Sequence, residues 1–234
     1  MSTSLQVKDL FGARYPALVS IATTHAELEP SPELAGSLAL AHACAPHPEL
    51  SRTNPTPAAA FRAARRMYLR GQRVDMQALA AELGISRTTL YRWTGQREQL
   101  LSDILWSLSD DIFEQAKRDH PQHTGIKRLL AIFRQHVGEL VEAEPLHAFL
   151  RQETQAALRI LTSPTAGVQS RTVWKLAALY REEEQADAFH PRIDADTLAY
   201  AVVRVTEGFI YNDALLTIDP EVERAAKIVG VLLE

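Results

Sequence analysis

The chain has 234 residues, of which 46% are hydrophobic and 23% charged, and its net charge at neutral pH is −4. This composition is typical of a globular protein, and the lack of an apolar run of 18 residues argues against a membrane-spanning segment. A single cysteine, Cys44, excludes an internal disulfide framework and, with an N-terminus unlike a secretory signal, favours a cytoplasmic location without membrane contact.

The charges are unevenly distributed along the chain. Residues 51–100 contain nine arginines and three acidic residues, for a net charge of +6. Residues 1–50 have two basic and five acidic residues (−3), and residues 101–234 have fourteen and twenty-one (−7). A basic segment within an acidic protein indicates a surface that contacts phosphates, although an arginine-rich solvated surface is the alternative.

Residues 1–56 are predicted to be an N-terminal extension that ends in a proline-rich linker. Four prolines between positions 46 and 57 prevent a continuous helix there. His42, Cys44 and His47 are metal-ligand types, but three such residues beside prolines and without a fourth ligand make a poor zinc site. We therefore expect no metal.

Residues 57–100 are predicted to form three short helices. Proline or a capping side chain such as Ser86 opens each helix, and glycine ends the first two. Their predicted bounds are about 57–70, 76–83 and 86–93.

The second and third of these helices, joined by a tight turn at Gly84, predict a helix-turn-helix that lays its second helix in the DNA major groove. Arg87 is expected to pair with guanine, and Thr88 and Thr89 to contact base edges. The other predicted DNA contacts are to phosphates, which fix register without carrying sequence information. They are Tyr91, Arg92, Trp93, Arg97, Gln77 and Arg73.

The rest of the chain is also predicted to be helical. A long fourth helix, about 97–119, carries an apolar stripe at i, i+3, i+4 spacing, and no strand-like alternation appears anywhere. Proline, serine and aspartate punctuate the sequence that follows. The further predicted helices span about 124–143, 145–161, 164–187, 195–216 and 220–233.

The helix predicted at 195–216 is apolar on two sides. Val203, Ile210 and Ala214 form a stripe separate from the main apolar face. Since a helix with two apolar faces must bury both, we expect one face to pack on its own chain and the other on a second subunit. The alternative is that neighbouring helices of the same chain cover both.

Three small helices, a long connecting helix and an acidic helical region together resemble the tetracycline-repressor (TetR) family of regulators. Ser86, Leu90, Tyr91, Arg97 and Leu100 stand at the positions of that family's pattern around the recognition helix. The chain departs from the pattern where the family usually has phenylalanine. Thr94 occupies that position and Trp93 precedes it, so Trp93 is expected either to fill the core or to lie against the DNA backbone.

Segments 146–153, 157–163 and 204–211 resemble the ligand domain of quorum-sensing-degradation regulators within the TetR family. The resemblance implies an all-α fold with a DNA-binding domain at 57–100 and a ligand-binding and dimerisation domain at 101–234. It also implies a repressor that binds a palindromic operator as a homodimer and is released by a small effector of the lactone type. The implied interface residues on the last two helices are Val203, Ile210, Ala214, Val222 and Val229.

An effector pocket is expected among large apolar or aromatic side chains of the later helices, with a few polar groups to orient the ligand. Each of these side chains serves equally well as plain core. The candidates are Trp106, Phe113, Phe133, His147, Phe149, Gln152, Trp174, Phe209 and Asn212.

Three other functional classes fit the sequence less well. An enzyme is not expected, because the chain has no phosphate-binding loop, nucleophile elbow, metalloprotease motif or dinucleotide-binding turn, and no cofactor is implied. A site-specific recombinase has a similar helix-turn-helix but places a catalytic α/β domain before it. An architectural DNA-binding protein would not explain the acidic C-terminal half.

Overall fold

The computed structural model describes residues 55–162, 167–212 and 221–234, and every regular element in these ranges is helical. The all-α prediction is confirmed. Residues 1–54, with the predicted extension and its His42, Cys44 and His47, lie outside the described residues, as does Ala214. None of the described helices combines the length and apolar character needed to cross a bilayer.

Three short helices form the N-terminal unit, close to their predicted positions. Side chains cap all three: Thr56 accepts from the Ala59 N–H, Asp75 from two N–H groups, and Ser86 from the Thr89 N–H. These helices are α1 (Pro57–Leu69), α2 (Met76–Glu82) and α3 (Arg87–Thr94).

The second part of the molecule begins with the long helix α4, which has its predicted bounds. Gly208–Asn212 continue α9 as a π-helical turn. The elements are α4 (Arg97–Asp119), α5 (Gly125–Val141), α6 (Glu144–Gln152), α7 (Thr154–Thr162), α8 (Val168–Gln185), α9 (Ala195–Glu207) and α10 (Val222–Leu233).

The single helix predicted at 145–161 is wrong, because the chain breaks at Glu153 into α6 and α7. Glu153 leaves helical geometry at φ −132° and ψ 45°. The Thr154 hydroxyl donates to the Leu150 carbonyl at 2.7 Å and so satisfies one acceptor that the break would otherwise leave open. The break turns the Glu153 side chain toward the N-terminal unit, where it meets two arginines.

Two clusters of buried side chains make the core. The first joins the N-terminal helices to α4, α6 and α7, with Leu79, Leu90 and Leu150 fully buried in it. The second lies between the C-terminal half of α4 and helices α5, α8, α9 and α10. Because α4 contributes to both, the DNA-binding helices and the C-terminal helices share one continuous packed element.

Candidate functional site

The recognition helix α3 is anchored by its buried side and exposes its first turn. Leu90 is completely buried, whereas Arg87 and Thr88 are exposed. The Ser86 hydroxyl lies 3.1 Å from the Thr89 N–H and 2.9 Å from the Thr89 hydroxyl, so Thr89 takes part in the cap as well as facing outward. The helix therefore presents Arg87 and Thr88 from a fixed backbone.

The predicted DNA contacts differ in how free their side chains are. Arg87, Arg92 and Gln77 are exposed, and neither guanidinium pairs with an acidic group among the described residues. Tyr91 and Trp93 are partly buried against the first core cluster. Exposed, unpaired arginines beside half-buried aromatic side chains form a surface suited to an anionic backbone.

Arg97 faces inward instead, toward Glu153 before the start of α7, whereas Arg73 is exposed and reaches the same carboxylate. Arg97 Nε donates to the Val74 carbonyl at 2.6 Å, and its Nη2 lies 2.6 Å from Glu153 Oε1. Arg73 Nε lies 3.8 Å from the other Glu153 oxygen. Arg97 therefore links the N-terminal helices to the α6–α7 junction, and its contact with a phosphate stays a prediction.

The presence of threonine at position 94, where the TetR pattern usually has phenylalanine, has a simple structural explanation. Thr94 is completely buried, and its hydroxyl donates to the Leu90 carbonyl at 3.0 Å, so the small polar side chain is satisfied within the helix. Trp93 is partly buried and packs on the first core cluster. Of the two positions expected for Trp93, the structure favours packing against the core.

A large cavity lies among the C-terminal helices. It has about 980 Å³ of empty volume, its opening to solvent included, and most of its lining is leucine, isoleucine, valine and phenylalanine. The polar side chains in the described lining are Ser109, His136, Gln169, Thr172, Tyr180, Thr206, Glu207 and Tyr211. An apolar wall with a few convergent polar groups is the usual form of a small-molecule site.

One polar group of the cavity is the pair formed by Ser109 and His136. The Ser109 hydroxyl lies 3.0 Å from His136 Nε2, and the imidazole meets the Phe113 ring edge-on at 5.5 Å between centroids. Burial lowers the pKa of His136 to about 4, so the ring is neutral at physiological pH.

The second polar group is centred on Glu207, at the last turn of α9. Gln169 Nε2 donates to Glu207 Oε1 at 2.8 Å, and Arg204 Nη1 lies 2.6 Å from Oε2. Burial raises the pKa of Glu207, while the bonds from Gln169 and Arg204 act in the opposite direction. Tyr211 follows in the π-helical turn, and burial together with the Glu207 charge raises the pKa of its phenol.

Only part of the predicted pocket lies at this cavity. Phe113 and Phe133 line it. Phe149 and Gln152 line a smaller cleft between the N-terminal unit and α6, and the His147 ring contacts the Val141 carbonyl at 2.5 Å. The predicted residues absent from the described lining are Trp106, His147, Phe149, Gln152, Trp174 and Phe209, and the side chain of Asn212 is outside the described residues.

Three of the predicted interface residues lie inside the chain. Val203, Ile210 and Val229 are 6%, 3% and 1% exposed, and all three line the cavity inside the chain. Helices of the same chain therefore cover Val203 and Ile210, whereas Val205 and Phe209 on the main apolar face of α9 are only partly buried. The apolar surface of the last helix consists instead of Ile228, Val231 and Leu232, at 41%, 72% and 38% exposure.

Comparison with known proteins finds similarity to a family profile and to solved structures. A family profile described as the C-terminal domain of tetracyclin-repressor-like proteins matches residues 124–234. The solved structure of the R. erythropolis transcriptional repressor QsdR, of the TetR family, is similar with a TM-score of 0.68 and 25% identity. This similarity covers 74% of the present chain and 92% of the other. No curated protein matches the sequence.

Proposed function

We propose that the chain is a TetR-family transcriptional repressor controlled by a small effector, in line with the profile match over residues 124–234 and the similarity to QsdR. In this proposal a homodimer binds a palindromic operator, and an effector in the C-terminal cavity releases it. The observation that carries the proposal is a recognition helix fixed by Leu90, on which Arg87 and Arg92 are exposed and pair with no acidic group in the part of the chain that the structure describes. The recombinase-like and architectural alternatives are not favoured, since neither explains the repressor-like match over residues 124–234.

The DNA-binding part of the proposal divides base readout from phosphate contact. Arg87 reads a base, with Thr88 and Thr89 beside it, because the first turn of a recognition helix faces base edges. Arg92, Gln77 and Tyr91 contact the phosphates. Arg73 assists from the start of α2, where its exposed guanidinium pairs only loosely with Glu153.

Selection of bound duplexes from a random pool tests this division directly. We expect a palindromic site. Arg87→Ala should relax the preference at one base pair in each half-site by about 1–3 kcal/mol, whereas Arg92→Ala should weaken binding to all sequences alike and reduce its salt dependence. Arg192→Ala is the control, because this exposed arginine lies between α8 and α9, outside the DNA-binding helices. No selected site, or an asymmetric one, would refute a dimeric repressor.

For the homodimer, we propose that a second copy covers Ile228, Val231 and Leu232. These residues follow the i, i+3, i+4 pattern that places side chains on one face of a helix. Apolar exposure at three such positions is expected of a surface that another subunit buries. Val231→Glu should shift the protein to monomer in sedimentation velocity and abolish tight operator binding, whereas Lys127→Glu, a change to glutamate at an exposed position of α5, should do neither. A dimeric Val231→Glu variant would exclude this face.

For the effector, we propose a lactone-type molecule, in line with the similarity to QsdR. The apolar lining suits an acyl chain, and the polar groups at His136 and Glu207 suit a polar head. A ligand weakens operator binding only to the extent that it binds the released conformation better than the DNA-bound one. Titration with N-octanoyl homoserine lactone should therefore raise the operator Kd, and an unchanged Kd at saturation would exclude this effector class.

A further inference from the structure

The polar part of the described cavity wall contains an acidic side chain but no cationic one. Glu207 is the one carboxylate in the described lining, which contains no lysine or arginine. Lys175 lies 5.4 Å from the centroid of Phe113, but its ammonium is paired with Asp110 and Glu114 and does not line the cavity. Since His136 is neutral, the described wall offers no cation to an entering anion.

Glu207 itself retains hydrogen-bonding capacity. A carboxylate has about four lone-pair positions, and Gln169 and Arg204 occupy two of them. The residue is only 9% exposed, yet it lines the cavity, so its open acceptor positions are accessible from the cavity. A ligand with an N–H or O–H donor can satisfy them.

We propose that this cavity selects uncharged amphiphiles that donate a hydrogen bond to Glu207, and that it rejects anionic amphiphiles of the same length, such as fatty-acid carboxylates. The inference deepens the proposed function and rests on it for its biological role. Glu207 is thereby assigned as the residue that determines which ligand charge the cavity accepts.

The physical reasons concern the cost of placing a second charge in a largely apolar space. A carboxylate that entered would lose its hydration and find no cation in the described wall to pair with, since Arg204 is already bonded to Glu207. A cationic head would also lose its hydration, and Arg204 already balances the charge of Glu207. An uncharged donor avoids both costs and gains a hydrogen bond to an ionised acceptor.

Three eight-carbon probes separate these effects: octanamide has a donor, methyl octanoate has none, and octanoate is anionic. Calorimetric titration of the full chain at pH 7.5 should show octanamide binding about tenfold or more tighter than octanoate, with methyl octanoate weaker than the amide. In Glu207→Gln, where a neutral acceptor replaces the carboxylate, the preference for the amide over octanoate should shrink to about threefold or less. The exposed Glu184→Gln is the matched control and should leave the preference unchanged.

The inference is overturned if octanoate binds wild-type protein as tightly as octanamide, if octanamide does not bind, or if the preference persists in Glu207→Gln. The wild-type comparison stands alone if that variant fails to fold. DNA selection with the same preparation keeps the two ideas apart. Loss of ligand discrimination with intact DNA binding overturns this inference alone, whereas the absence of DNA binding overturns the proposed function alone.

Discussion

The contact between Arg97 and Glu153 should stabilise the protein measurably, because it is shielded from solvent. The two side chains are 22% and 18% exposed, and Arg97 also donates to the Val74 carbonyl. Hydrogen bonds to charged groups contribute about 1.5–3 kcal/mol and neutral ones about 0.5–1.5 kcal/mol. Replacing the carboxylate by an amide in Glu153→Gln should therefore cost about 1–2 kcal/mol, or a decrease in Tm of roughly 2–8 °C for a chain of this size.

The chain provides a matched control at the same distance. Arg151 and Glu144 also form a 2.6 Å pair, but their side chains are 55% and 75% exposed. Double-mutant cycles with glutamine at each position, measured by urea unfolding at one protein concentration, isolate the two pair energies. We expect about 1–2 kcal/mol for the Arg97 pair and about 0.5 kcal/mol for the Arg151 pair. Equal coupling energies would refute the argument that burial sets the strength of this link.

Two further predictions concern a glycine and a histidine. Gly125 has φ +57°, and a Cβ there would lie 2.2 Å from the Ala188 carbonyl oxygen, whereas Gly71 has φ +67° and open space around it. Gly71→Ala should lower the free energy of unfolding by about 1–2 kcal/mol, because alanine is strained in this backbone conformation. Gly125→Ala should lower it clearly more, because it adds the clash with Ala188. Equal losses of the two variants in urea unfolding would contradict this. Burial lowers the pKa of His136 from 6.5 to about 4. Between these pH values the unfolded chain therefore binds a proton that the folded chain does not. The contribution of His136 to the free energy of unfolding is complete above pH 6.5 and decreases by up to about 3 kcal/mol toward pH 4. His136→Gln should flatten this part of the stability profile, and an unchanged slope would exclude His136 as its source.

The N-terminal half of the fold was predictable because its signals are local. Pro57, Asp75 and Ser86 begin helices through their own backbone or side-chain chemistry, and the structure has the helices there. The break at Glu153 has no such signal, since neither glycine nor proline marks it. The partner of Glu153 is Arg97, 56 positions away in sequence, and only the tertiary structure brings them together.

The cavity was harder to predict for a similar reason. Phe113 and Phe133 were identified as large side chains, but Ser109, His136 and Glu207 have no sequence feature that distinguishes them from surface polar residues. Three helices, α4, α5 and α9, must pack before these side chains meet. The two apolar sides of α9 were identified as sides to bury, yet periodicity alone does not say whether the covering helix belongs to the same chain.

The π-helical turn after α9 has a consequence for how relatives of this protein diverge. A π-helical turn closes its hydrogen bonds over one more residue than an α-helical turn, so loss of a single codon between positions 208 and 212 would return the segment to α geometry. Because the wide turn takes up the extra residue, its loss would redistribute the side chains within the turn itself. Ile210 and Tyr211 now line the cavity, and after such a deletion other residues of the turn would occupy their positions in the wall. A change in segment length can therefore replace the side chains around a ligand in one evolutionary event, without any substitution among them.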